Sequence, residues 1–457
     1  MRLERTWMLS GWRGIGAFLA VALAYPAKAE FTDDERASIV AFWNAPGRYQ
    51  VRLPIAAASR GAWQVRLTPE GSRWLDDFSR VKGQLRRLAP IAPQSEEMPP
   101  KWGRWSQPPF PDAPQALNSE QWVAAKQKWD RWNSEVEAKR FNGITPRDVE
   151  SPTHPGAMPL ELFLILGAPP RFTQAVMPRA YDILFEDDVL INYSDQVALD
   201  EQYTKFRFAQ GVRAFGTPVK SLPRTELDTL IDRGMLDESE ARIFFAVSPL
   251  EGGFDSVNTY DTGYVSVGFL QFACLSGGSG SLGPVLLEMK TSSPTAFAST
   301  FRRYGIDVTD AAILQVVDPG TGAVLLGPDA AMAIINDKRL IAVFQRAGRL
   351  SPEFRVAQVV TARRMYYPAE DSLSFAGTVP LIGKVSDIVR SEAGLATLMD
   401  RKVRTGRLDP LIGVLARLAK EKKVRDIREL AKFEPQIVRE MRYRRDFTKD
   451  NTLSQPK

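Results

Sequence analysis

A chain of 457 residues with a formal charge of +6 is long enough for two or three domains, and its 44% hydrophobic and 25% charged content is that of an ordinary globular protein with a sizeable core. Its single cysteine, Cys274, excludes an internal disulfide. Its single histidine, His154, leaves a His/Cys zinc site, a Ser-His-Asp triad and a Cys-His dyad all short of parts. Any chemistry therefore falls to carboxylates, and no cofactor or metal is expected; no EF-hand spacing occurs.

The first residues read as an export signal. Arg2, Arg5 and Arg13 precede an apolar run from Ile15 to Ala24, and Ala27-Lys28-Ala29 forms a small-x-small cleavage site before Glu30. The apolar part is too short for a comfortable membrane span. This predicts a signal peptide over residues 1–29 and a periplasmic or extracellular protein. Its removal takes four basic residues and one acid, leaving a formal charge of +3. So weak a basic excess argues against a nucleic-acid partner, since binding by counter-ion release needs a concentrated basic face. It remains compatible with an anionic polymer at the cell envelope.

Next come a helix start at Thr32-Asp33-Asp34-Glu35 and two near copies of aromatic-Gln-Val-Arg-Leu, at Tyr49–Leu53 and Trp63–Leu67, whose alternation predicts a hairpin. A helix is expected from Ser72 to about Arg87. Eight prolines between Pro90 and Pro114 predict an extended tether, and a further helix opens at Ser119. All eight tryptophans after residue 29 lie between Trp43 and Trp132, which marks a boundary near residue 150. Tryptophans suit sugar rings, yet large aromatics more often supply buried area, and packing is the expectation here.

Residues 151–221 read as a small mixed α/β segment, with a hairpin around the acidic turn Glu186-Asp187-Asp188. Helices are predicted over 223–233 and 237–248, the second opening with a capping box, Asp237 to Glu240. Pro249 should stop it and leave Glu251 at a buried helix end. Further on, helices are predicted over 329–347, 352–367 and 385–403, and an amphipathic basic one over 411–445.

The stretch from Ile243 to Gly283 looks built for chemistry. Glu251 follows Phe244, Phe245, Val247 and Leu250; in a partly dry cleft, desolvation raises a carboxyl pKa and suits it to protonate a glycosidic oxygen. Asp261 lies in the polar turn Asn258-Thr-Tyr-Asp-Thr-Gly263, where it can act on water or offset charge developing on the sugar, and Ser266 can hold that water. Asn258, Tyr260, Tyr264 and Gln271 are candidate substrate contacts. Ser276 to Gly283 is a Gly/Ser loop without the Gly-Lys-Ser/Thr ending of a phosphate loop.

The run Glu251-Gly-…-Tyr260-Asp-Thr-Gly-Tyr-Val-Ser266-Val-Gly268 resembles the active-site segment of phage-type lysozymes, in which a helix-end Glu precedes a Tyr-x-Asp-Thr-x-Gly-Tyr-x-Thr-x-Gly ribbon. The catalytic Glu matches Glu251, the second acid Asp261 and the water-positioning Thr matches Ser266. Here Ser replaces Thr, and the Glu-to-Asp interval is one residue longer. Gly-Tyr-…-Gly-Phe-Leu-x-Phe-x-Cys, and Leu398-Met-Asp400-Arg-Lys-Val-Arg-Thr-Gly406, are similar to segments of bacterial chitosanases of the lysozyme-like superfamily.

The resemblance implies an α+β, mainly helical lysozyme-like domain with a small β-ribbon over 222–430. A Trp-rich region over 30–150 and the mixed segment over 151–221 would precede it, and a basic tail over 431–457 would follow. It also implies a glycosidase acting on peptidoglycan, with chitosan or another amino-sugar polymer second. Lytic transglycosylation would need only the Glu. The rival expectation is a non-catalytic cell-wall or polysaccharide-binding protein on the same fold.

Overall fold

The computed structural model describes residues 30–52, 63–86, 117–146, 150–194, 208, 211–214, 216–219, 224–408 and 410–457; the expected signal over 1–29 and the Pro-rich tether over 90–114 lie outside them. The chain is α+β, with helices dominant and five small sheets, all of whose described strand pairs are antiparallel.

The first part runs α1 (Asp33–Asn44), β1 (Tyr49–Arg52), β2 (Gln64–Leu67), α2 (Pro69–Leu85), α3 (Ser119–Phe141), α4 (Leu160–Leu166), β3 (Thr173–Val176), β4 (Ala180–Leu184) and β5 (Leu190–Ser194). Thr32 and Glu35 close a capping box on α1, so two of its free amide groups find partners. Helix α2 begins earlier than expected because the Thr68 hydroxyl accepts from Gly71 N and Pro69 fits the first turn. The two aromatic-Gln-Val-Arg-Leu segments are strands, but they do not form the expected hairpin. β1 pairs with β4, and β2 pairs with β3. Their alternation fixed strand character but carried no information on the partner, which lies more than 100 positions away in both cases. The expected acidic hairpin is present as β4–β5, with Asp188 in the left-handed region at φ 59°.

Two cores result. Leu67, Trp74, Leu75, Trp122, Leu162 and Phe172 pack a smaller one between β2–β3 and helices α2–α4. Trp43 joins the main core instead, with its Nε1 donating to Tyr304 O at 3.0 Å. Asp130, buried beside Phe172, accepts from the Phe172 amide at 2.8 Å and pairs with Lys126, which compensates its burial.

The larger part runs β6 (Arg213–Ala214), α5 (Arg224–Asp232), α6 (Glu238–Val247), β7 (Val257–Asn258), β8 (Ser266–Val267), β9 (Phe272–Ala273), α7 (Leu282–Ser292) and α8 (Pro294–Thr300). It continues through β10 (Ile306–Val308), β11 (Leu314–Val317), β12 (Val324–Leu326), α9 (Gly327–Asn336), α10 (Lys338–Leu350) and α11 (Pro352–Tyr366). β13 (Ser372–Ala376), β14 (Pro380–Lys384), α12 (Glu392–Thr405), α13 (Leu411–Glu421) and α14 (Glu434–Met441) complete it. The helix expected over 329–347 is two, broken at Asp337, whose side chain caps α10. The one expected over 385–403 starts only at Glu392, capped by Ser391. The one expected over 411–445 breaks after Glu421 and resumes as α14, entered through Pro435.

The cores cut across the expected boundaries. Phe31, Ile39, Trp43, Ile183 and Phe185 share the main core with residues as distant as Leu453. β6, from the segment assigned to 151–221, is the edge strand of the sheet β6-β7-β8-β9. Within residues 431–457, the expected basic tail, Ile437, Val438, Met441, Phe447 and Leu453 are buried.

Candidate active site

Helix α6 is fixed at its start by the Asp237–Glu240 capping box and along its length by buried Ala241, Ile243, Phe244 and Val247. Pro249 cannot donate, and the chain tightens into a 3-10 turn over Ser248–Leu250, with Glu251 N–H bonded to Ser248 O at 2.9 Å. Glu251 leaves this turn with a side chain only 12% exposed.

Helix α12 packs between α6 and α14. It carries Asp400, whose side chain is 1% exposed, and the chain beyond α14 carries Arg444. Arg444 Nε donates to Asp400 Oδ1 at 2.7 Å and its backbone N–H to Asp400 Oδ2 at 3.2 Å, while Nη2 donates to Glu251 Oε1 at 2.5 Å. Glu251 Oε2 has no hydrogen bond among the described residues. Burial pushes the Glu251 carboxyl above its ordinary range, outweighing the pull of Arg444 and, further off, Arg404. Arg444 is itself held above the usual range despite burial, because it faces both Glu251 and Asp400. Tyr366 at the end of α11 is raised by burial and feels the Glu251 charge.

Asp261 lies in the turn between β7 and β8. Its Oδ1 accepts from Gly263 N at 2.8 Å. Burial again raises its pKa, against that hydrogen bond and the charge of Arg404. Arg404, exposed on the last turn of α12, therefore acts on both carboxyls. Ser266, on β8, is buried with its Oγ against Gly263: a Cβ there would fall 2.5 Å from Ser266 Oγ and 3.0 Å from Asp261 Oδ1. A side chain at 263 would crowd both groups, so the acid and the hydroxyl flank the same glycine.

The other four expected contacts lie elsewhere in the ribbon. The Asn258 amide donates to Gln271, and Gln271 Nε2 bonds to Ser256 and to Gly268 O at 3.0 Å, so these two side chains brace the sheet from within. Tyr264, at φ 63°, packs edge-on against Phe208 at 5.0 Å. Tyr260 is buried in the smaller core with the N-terminal tryptophans. Asp255 is held by Thr217 N at 2.6 Å and Arg349 Nε at 2.9 Å, a satisfied buried carboxylate rather than a reactive one. The Gly/Ser loop is packed in part: Gly278 lies against the Gly327 backbone and Gly280 approaches Ala273, while Ser276 and Gly277 are exposed.

Sequence reasoning missed Arg444, Arg404 and Tyr366, and it singled out the Asp400 helix only as a segment. No local pattern exposes Arg444, which is separated from Glu251 by 193 positions. Its one signal is its place in the basic amphipathic run expected over 411–445.

A separate open cavity of about 560 Å³ is lined by Tyr49, Asp318, Asp329, Asp337 and Arg339 among others. Two of its three acids are occupied: Asp337 caps α10 and pairs with Arg339, and Asp318 accepts from the Gly320 and Thr321 amides. Among the described residues no group of three or more His, Cys, Asp or Glu side chains could hold a metal. No described helix is long and apolar enough to cross a membrane.

No family model matches the chain, and no curated protein or solved structure matches it either.

Proposed function

We propose that the protein is an exported glycan hydrolase with a lysozyme-like catalytic domain, acting on peptidoglycan or a related amino-sugar polymer. One observation carries the reading. Two shielded carboxyls stand on separate elements: Glu251 leaves the end of α6 with its side chain 12% exposed and Oε1 held by Arg444, and Asp261 sits in the β7–β8 turn with Oδ1 on Gly263 N, and burial raises both. Glycosidic cleavage uses such a pair.

In this mechanism Glu251 is the general acid. Arg444 fixes Oε1, so the proton sits on Oε2 and passes to the departing glycosidic oxygen. Asp261, oriented through Oδ1 by Gly263 N, takes a proton from the attacking water with its other oxygen, and Ser266 Oγ holds that water in place. Arg404 favours the ionised form of Asp261 while the sugar carries positive charge.

Zymography on peptidoglycan with the wild type and Glu251→Gln tests this. Clearing by the wild type and none by the variant is the expected result. Equal clearing, or none from either, would defeat the reading. The second outcome would favour the rival, a non-catalytic polysaccharide-binding protein, for which the Arg444–Glu251 contact is simply a structural ion pair.

A further inference from the structure

Tyr260 belongs to two parts of the molecule at once. Its side chain, 4% exposed, lies in the smaller core with Leu67, Trp74, Leu75, Trp122 and Phe172. Among the described residues it is the only fully buried member of that core from beyond residue 172. Its neighbour in the chain is Asp261. The N-terminal unit is therefore seated on the residue next to the candidate base.

The backbone around it is fixed as well. Phe208 N–H donates to Tyr260 O at 3.1 Å, Thr259 N–H to Val212 O at 2.9 Å, and Val212 N–H to Thr259 Oγ1 at 3.0 Å. Gly211 approaches so closely that a Cβ would stand 2.4 Å from Tyr260 Cα. On the other side of Asp261, Val265 and Val267 enter the main core. The segment bearing Asp261 is thus strung between two cores, with Tyr260 as its anchor in one and Val265 in the other. Both anchors are buried in close-packed surroundings, and such interiors transmit displacement instead of absorbing it.

We infer that Tyr260 is a positioning residue, through which the N-terminal unit over 63–176 sets the angle at which Asp261 meets substrate. The unit is then a working wall of the active site and not a separable appendage. The inference rests on the hydrolase reading for its catalytic half; the mechanical coupling stands by itself. A general base must be held in a near-attack geometry, and a displacement of about 1 Å costs on the order of 100-fold in rate. Truncating Tyr260, or a residue deeper in its core, should therefore act on turnover more than on binding.

Three variants of the full chain test it: Tyr260→Ala, Tyr260→Phe and Trp74→Ala. Thermal unfolding first establishes that each folds. On solubilised glycan strands, Tyr260→Ala and Trp74→Ala should lower kcat by about 10- to 100-fold with KM within about threefold of the wild type, while Tyr260→Phe, which keeps the ring, restores the rate. Hydrogen exchange read over amides 259–263 should be slow in the wild type and Tyr260→Phe and faster in the two alanine variants. Unchanged kcat in both alanine variants, a loss carried by KM alone, or unchanged exchange would overturn the inference. Should the wild type cleave no glycan, the hydrolase reading falls, and exchange alone decides whether the unit holds the Asp261 segment.

Discussion

One guanidinium nitrogen of Arg444 lies 2.5 Å from Glu251 Oε1 and 2.5 Å from Asp400 Oδ1. A single cation thus serves two shielded carboxyls, and the raised pKa of Glu251 means that it takes up a proton more readily than an ordinary glutamate. Replacing Arg444 by Met should leave Asp400 uncompensated and cost about 3 kcal/mol in denaturant unfolding, the low end for a broken buried pair because Arg444 is partly exposed. It should also lift Glu251 further. Since a general acid acts only while protonated, the alkaline limb of the activity profile should move to higher pH. A limb that stays put or moves down would show that Arg444 does not govern Glu251.

Gly263→Ala tests the turn that carries Asp261. The new methyl would press on Ser266 Oγ and Asp261 Oδ1, and one of them must give way. The expected result is a fall in kcat of about tenfold or more, with KM little changed, as for an interaction realised mainly in the transition state. Wild-type turnover would show that the base and hydroxyl are not needed in register.

Asp261→Asn should stabilise the protein at neutral pH while removing activity. Burial raises the folded pKa of Asp261, so between the unfolded value of about 3.9 and the raised folded one the native state keeps a proton that the unfolded chain has lost. The stability of the wild type therefore falls as pH rises through that window. Asparagine cannot ionise and escapes the loss. Denaturant midpoints should favour the variant above the window and converge with the wild type below about pH 3. A variant less stable than the wild type at pH 7 would contradict the sign.

Cys274 offers a check on the core behind the ribbon. It is fully buried, and burial pushes its thiol up to about 11. A thiol reagent at neutral pH should label the native protein slowly and the unfolded chain at once, because the thiolate is the reacting species. Fast labelling of the native state would mean that β9 opens readily.

The local devices were legible in the sequence. The Asp237–Glu240 box, the stop at Pro249 and the emergence of Glu251 follow from residues within a few positions of one another, and the structure has all three. Asp261 and Ser266 were legible for the same reason, since one tight glycine turn joins them. Tyr260 was misplaced because an aromatic beside an acid suggests a sugar contact, whereas a core assembled from residues 67–172 had a stronger claim on its ring. The clustering of tryptophans suggested one N-terminal module, yet Trp43 and Trp74 entered different cores. Local propensity cannot express such a division. It depends on which surface each strand and helix meets.

The attachment of α1 carries a consequence for how this chain reaches its native state. The Trp43–Tyr304 bond spans 261 positions, and the Arg52–Asp182 pair that closes β1 on β4 spans 130. During synthesis β1 must wait for β4 at residues 180–184, and Trp43 of α1 waits longer still, until Tyr304 has appeared. High contact order of this kind makes folding slow and leaves strand edges open to the wrong neighbours. The protein is then one that matures late and as a whole, with its oldest segment the last to be made safe.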